Sequence, residues 1–310
     1  MRVWRILSPI ATLALLASVA PIAHASVVSR TSERGVHCVS AGGKHDKIAK
    51  RIARGVAQKI AGRAAPIGLN LTDSETGITC WYHPTMHFYA ASVMKVAILG
   101  ALLRKVQQQH RWLTEDELHE AWLMITQSDN GAANDLWFDI GMPFVQHFLD
   151  LAKMKQTVLN KHWGLSLITA HDELLLLQLI TGDNDVLDQR SRIYARYLMG
   201  HVTKNQRWGV PAGAPGDVTV HVKNGWLPYP GDQWEINSIG TFTSTHRAYL
   251  IVMLTYDNPS MEYGIETIER VAEVIHHELN PRKLPAIAPS KPSPAWGKPD
   301  ESVPRPPTGD

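Results

Sequence analysis

Residues 85–104 read TMHFYAASVMKVAILGALLR. The turn-prone His83-Pro84-Thr85 gives way to the small Ala90 and Ala91, and then to Ser92. From there Val93, Val96, Ala97, Leu99, Gly100 and Leu103 recur at helical spacing. The stretch therefore predicts a buried helix that begins at Ser92. Lys95 falls one turn on, over the same face. A serine at a helix start presents an unpaired backbone N–H, suited to an oxyanion. Its hydroxyl also has an amine within reach, and serine is a weak nucleophile until something takes its proton. By itself S-x-x-K equally describes a plain helix cap followed by an ordinary lysine. The segments on either side decide between the two.

On the N-terminal side, IGLNL (67–71) and ITCWY (78–82) flank the turn-rich Thr72 to Gly77, which predicts a β-hairpin leading into the Ser92 helix. Before it, Ile48, Ile52, Val56 and Ile60 repeat every four residues, so 44–63 predicts a helix. Its other face carries Lys47, Lys50, Arg51, Arg54 and Lys59 and reads as a solvated face. Residues 26–43 read as an N-terminal extension. Arg2 and Arg5, an apolar run from Ile6 to Ala20 and Ala23-His24-Ala25 form a signal peptide over 1–25 with cleavage before Ser26. The run is too short and interrupted for a membrane span. The protein is expected to be secreted. The chain holds only two cysteines, Cys38 and Cys80, and in an exported protein that pair predicts one disulfide.

On the C-terminal side, Thr114 with Glu117 makes a capping box, and the helix it opens ends at Ser128-Asp129-Asn130-Gly131. Pro143 and Thr169 start further helices, with an irregular 156–168 between them. About 93–203 thus reads as an all-α unit. Alternation then predicts strands over 218–226, 234–244 and 249–256, with Thr245-His246-Arg247 as a turn, and a closing helix over 261–279. Residues 281–310 hold nine prolines and read as a disordered tail. The net charge of +2 argues against nucleic acid as a partner. Fifteen histidines, His83 and His87 among them, are scattered without a zinc spacing, so no metal is expected.

Ser92-x-x-Lys95, Ser128-Asp129-Asn130 and Lys223-Asn224-Gly225 occur in this order, on a helix start, a helix turn and a strand. Over roughly 44–280 the set resembles the S-x-x-K, S-D-N and K-T-G triplet of class A β-lactamases and penicillin-binding proteins. The resemblance implies an α/β (α+β) fold of the β-lactamase/transpeptidase-like kind. Its antiparallel sheet would be built from both chain ends and flanked by helices, with the all-α unit inserted.

The same resemblance implies that Ser92 is acylated, that Lys95 takes its proton and that Ser128 passes a proton to the leaving nitrogen. Asn130 and Lys223 would hold the substrate amide and carboxylate, with Arg247 a second carboxylate anchor. Gly225 permits close approach, and the Trp226 N–H would join that of Ser92 at the oxyanion. A cofactor-free monomer acting on a small-molecule or peptidoglycan-derived substrate follows. Three departures stand out. The gap from Ser92 to Ser128 is short. Asn224 stands where Thr or Ser is usual. The deacylation-loop motif E-x-x-L-N is matched by Gln156 to Asn160, and glutamine cannot serve as a carboxylate base. The sequence thus supports an exported serine hydrolase that turns over a β-lactam or related amide or ester. Gln156 favours a slowly deacylating penicillin-binding relative, and a non-catalytic cell-wall binder is the third reading.

Overall fold

The computed structural model describes residues 29–245, 247–283 and 285–288. The expected signal peptide, His246 and the rest of the proline-rich tail lie outside them. Seven strands form one antiparallel sheet in the order β1-β2-β4-β3-β9-β8-β7. The N-terminal half supplies β1 (Ser29–Glu33), β2 (Val36–Ser40), β3 (Ile67–Asp73) and β4 (Ile78–Tyr82). The C-terminal half supplies β7 (Thr219–Tyr229), β8 (Gln233–Thr243) and β9 (Ala248–Asn258). They join where β3 pairs β9, Ile67 opposite Thr255 through Asp73 opposite Tyr249. The fold is the antiparallel sheet flanked by helices that the resemblance implied.

Helices cover both faces. α1 (Asp46–Ile60) and α8 (Met261–Leu279) pack together, with α8 also against β8 and β9. α6 (Ala170–Thr181) lies on β9, β3 and β8. A sheet covered on both faces buries nearly every residue of its central strands, and Tyr249 through Tyr256 are all buried. Beyond α6 lie α2 (Met94–Gln108), α3 (Glu115–Trp122), α4 (Asn130–Ile140), α5 (Met142–Leu151) and α7 (Gln189–Gly200). α2 is buried throughout from Met94 to Leu103, apolar there but for Lys95, as a helix surrounded by others must be. Gly100 lets Phe148 of α5 press on it, since a Cβ there would stand 2.4 Å from the ring.

Three expectations change. Within the stretch read as an N-terminal extension, residues 29–33 and 36–40 form β1 and β2, which lengthen the sheet, and Val36, Cys38 and Ser40 turn inward. Cys38 sits directly opposite Cys80 of β4, and the two form a disulfide. The tail read as disordered from 281 stays attached at its start. The Gly213 N–H donates to Ile287 O and the Ala286 N–H to Ala214 O. The all-α stretch also contains a strand, β6 (Leu167–Ile168), paired with β5 (Phe88–Tyr89) just ahead of Ser92. Among the described residues, no helix is long and apolar enough to cross a membrane.

Candidate active site

Ser92 sits in a tight turn, Ala91–Val93, that runs straight into α2. Two short ties hold this turn in place. The Ala90 N–H donates to Ser166 O at 2.8 Å, and Asn237 Nδ2 of β8 donates to Tyr89 O at 2.8 Å. Ala91 adopts φ 45°, a left-handed conformation that costs energy outside glycine and is kept where the surroundings impose it. One turn into α2, Lys95 is fully buried.

The second segment is braced in a different way. The chain beyond α3 widens into a π-helical turn, Leu123–Gln127, and Ser128 closes it in the left-handed region at φ 59°. Such turns recur at functional sites because they re-aim the residues that follow. Asp129 then caps α4, its Oδ1 accepting from the Ala132 N–H at 2.8 Å. Ser128 and Asn130 thereby both face Lys95. The third segment is β7, the last strand of the sheet, whose outer edge no other strand pairs among the described residues. Gly225 touches the serine turn: a Cβ there would lie 2.9 Å from the Ser92 nitrogen and 3.0 Å from that of Val93. No other residue type permits that approach.

The polar groups form one chain. Lys95 Nζ lies 2.7 Å from Ser128 O, 2.7 Å from Asn130 Oδ1, 3.1 Å from Ser92 Oγ and 3.2 Å from Ser128 Oγ. Lys223 Nζ lies 2.9 Å from Ser128 Oγ and 2.9 Å from Asn224 O. Burial pushes the Lys95 ammonium down to about 7, with Asp129 pulling weakly the other way. Lys223, equally buried and facing Lys95, is held well below its ordinary value. A neutral Lys95 has two N–H groups and one lone pair. Two of its partners, Ser128 O and Asn130 Oδ1, can only accept. They take both hydrogens, and the lone pair is left to accept from a hydroxyl. The 2.7 Å contact also orients Asn130, whose Nδ2 is turned away from the lysine. The indole of Trp163 covers another side of the amine, with Lys95 Nζ 4.8 Å from the ring centroid.

Residues 47–118 and 117–279 match the model of the β-lactamase enzyme family. The chain belongs to this family. Among solved structures, the β-lactamase of Sphaerobacter thermophilus superposes with a TM-score of 0.64 at 18% identity, covering 73% of this chain and 95% of that one. A class A β-lactamase of Bacteroides cellulosilyticus gives 0.66 at 15%, covering 76% and 99%. The protein named PBP-A gives 0.66 at 21%, covering 75% and 97%. No curated protein matches. These distant likenesses concern the fold, and the family match supports a serine hydrolase-type enzyme at the level of the family.

Within this β-lactamase-family chain, Ser92, Lys95, Ser128, Asn130, Lys223 and Gly225 come together. Trp226 follows on the same strand, its ring half-buried 6.1 Å from that of Trp208. Asn224 does not line the cleft, because its Nδ2 donates to Gln206 O and Trp208 O. Arg247 is a correction. Its guanidinium grips Asp73 at 2.7 and 2.9 Å and reaches Asn280 Oδ1 at 3.0 Å, tying β3, β9 and the end of α8 together instead of facing substrate. Among the described residues, Gln156 and Asn160 hydrogen-bond to other groups and not to Ser92, Lys95, Ser128 or Lys223. Gln156 Oε1 accepts from Thr169 Oγ1 at 2.9 Å and its carbonyl from His87, at the far end of the β5–β6 pair. Asn160 Oδ1 accepts from the His162 N–H within the loop. That loop is pinned by Asp172, whose Oδ2 takes the N–H groups of Gln156 and Thr157 and the Thr157 hydroxyl. Sequence reasoning missed Asp172, Asn237 and Trp163. No motif or period marked them, since their roles depend on partners far along the chain.

Proposed function

We propose that the protein is a β-lactam-reactive serine acyl-enzyme that acylates readily and deacylates slowly. In this reading Ser92 Oγ gives its proton to Lys95 and bonds to the carbonyl carbon. The N–H of Ser92 and that of Trp226 bind the oxyanion. As the carbon–nitrogen bond breaks, Ser128 passes a proton from Lys95 to the leaving nitrogen. Lys223 meets the substrate carboxylate, and Asn130 Nδ2 meets the amide carbonyl of the acyl group. The observation that carries the reading is the Lys95 amine, buried and about half neutral at pH 7, its lone pair then left for the Ser92 hydroxyl.

Slow deacylation follows from what surrounds that amine. Among the described residues, no carboxylate hydrogen-bonds to Ser92, Lys95, Ser128 or Lys223. Trp163 occupies one flank of Lys95 instead, and an indole face cannot activate water. The test is intact-protein mass after mixing with a penicillin, followed over time with the drug assayed in the same tube. A persistent adduct on Ser92 is expected. Rapid drug hydrolysis with no adduct would restore ordinary β-lactamase turnover. Intact drug with no adduct would remove β-lactams from the substrate class.

A further inference from the structure

A groove of about 570 Å³ opens beside Asn130 and runs between α4 and the 161–165 segment to Leu227 of β7. Its walls are Phe138 on one side and Trp163 and Leu165 on the other. A single exposed phenylalanine means little. Phe138 is 77% exposed, however, and it borders a cleft that leads away from the reactive serine. Asn134 in the lining is already engaged, its Oδ1 accepting from Trp163 Nε1 at 2.8 Å, which fixes the indole as a wall.

The charge of the groove is one-sided. Lys161 and His162 stand exposed at the rim, and no carboxylate lines the groove. The acidic residues of α4, Asp135 and Asp139, line a separate groove beside Glu117 and Glu120. An apolar trough with the Lys161 ammonium at its rim selects for a ligand that is apolar along its length and anionic at its tip.

We propose that Lys161 makes this groove, which receives the acyl part of the substrate in the reading above, selective for an aromatic acyl group carrying an anionic substituent at its outer end. This rests on Ser92 being the acyl acceptor, because that places the substrate carbonyl at the groove's inner end. The substrate class is then an amide or ester of a carboxylated aryl-acyl group rather than of a neutral one.

The test uses the full chain with Ser92→Ala and two unreactive probes, N-(phenylacetyl)glycine and N-(4-carboxyphenylacetyl)glycine, titrated by calorimetry. The carboxylated probe should bind about two- to five-fold more tightly, as an exposed ion pair allows. Lys161→Glu, a surface change that leaves the core untouched, should abolish or reverse that preference. Phe138→Ala should weaken both probes by about five-fold or more. Equal affinity for the two probes, a preference that survives Lys161→Glu, or no binding of either probe at millimolar concentration would each overturn the proposal. The reading of Ser92 is tested separately by the penicillin adduct of the unaltered protein. A preference that persists while that adduct fails to form sinks the acyl-enzyme and leaves an anion-selective aryl groove.

Discussion

Lys95 concentrates the chemistry of the site in one atom. Its amine is useful as a base only when neutral, and burial has brought its titration from above 10 to about 7. Acylation should therefore rise with pH, reach half its maximum near 7 and level off above. Single-turnover rates with a chromogenic cephalosporin from pH 5.5 to 9 would show this, and a flat profile would remove Lys95 as the base. Lys95→Ala should lower the acylation rate by about 10²–10⁴-fold, the usual worth of a positioned base. Trp163 makes the complementary prediction. If its indole is what denies water a place beside the amine, Trp163→Ala should shorten the lifetime of the penicillin adduct several-fold. A lifetime that stays the same or grows, read by intact mass, would assign the slow step to something other than this ring.

At the scale of elements, the site is the meeting of a helix start, a helix turn and an edge strand, and Gly225 sets their spacing. A side chain there would run into the backbone of Ala90, Ser92 and Val93 at 2.9–3.0 Å. Gly225→Val should push β7 off the serine turn and cost about 100-fold in acylation, the scale of an ångström's misplacement. The accompanying loss of stability should be about 1–3 kcal/mol by urea midpoint. Full acylation in that variant would contradict the proposed oxyanion pair. The elements themselves were largely legible: β3, β4, β7, β8 and β9 alternate or run apolar, and α1 and α8 carry helical periods, because each buries a face against the rest. β1 and β2 were not, since each is five residues long and their apolar content is three residues, Val36, Cys38 and Val39. The motif residues were legible because the chemistry restricts their type and spacing. Arg247 was misassigned because its charge is visible in the sequence, whereas its partner Asp73, 174 residues away, is set by strand order. Gln156 was matched by motif alone, in a loop where no period ties residue to position.

For the whole molecule, β7, β9, α7 and α8 must keep their places for the cleft to exist, and buried histidines help hold them. His276 of α8 is 1% exposed and bridges two elements. Its Nε2–H donates to Val210 O at 2.8 Å, and the Tyr249 hydroxyl of β9 lies 2.9 Å from Nδ1 as the donor. Both bonds suit the neutral ring, and burial pulls its titration down to about 4. His221 of β7, also buried, falls to about 4, with Nδ1 2.7 Å from Arg196 O of α7. In the unfolded chain both rings titrate at about 6.5. Between those values the unfolded state binds more protons than the folded one, so stability should fall as pH drops from 6.5 towards 4 and be complete above 6.5. Each ring contributes up to about 3 kcal/mol over that window. Urea midpoints at pH 7 and pH 5 should differ accordingly, and His276→Gln should shrink the difference while lowering stability at pH 7. If the variant keeps the full difference, His276 is not a source of the acid sensitivity, and the α8 contact is held by packing alone.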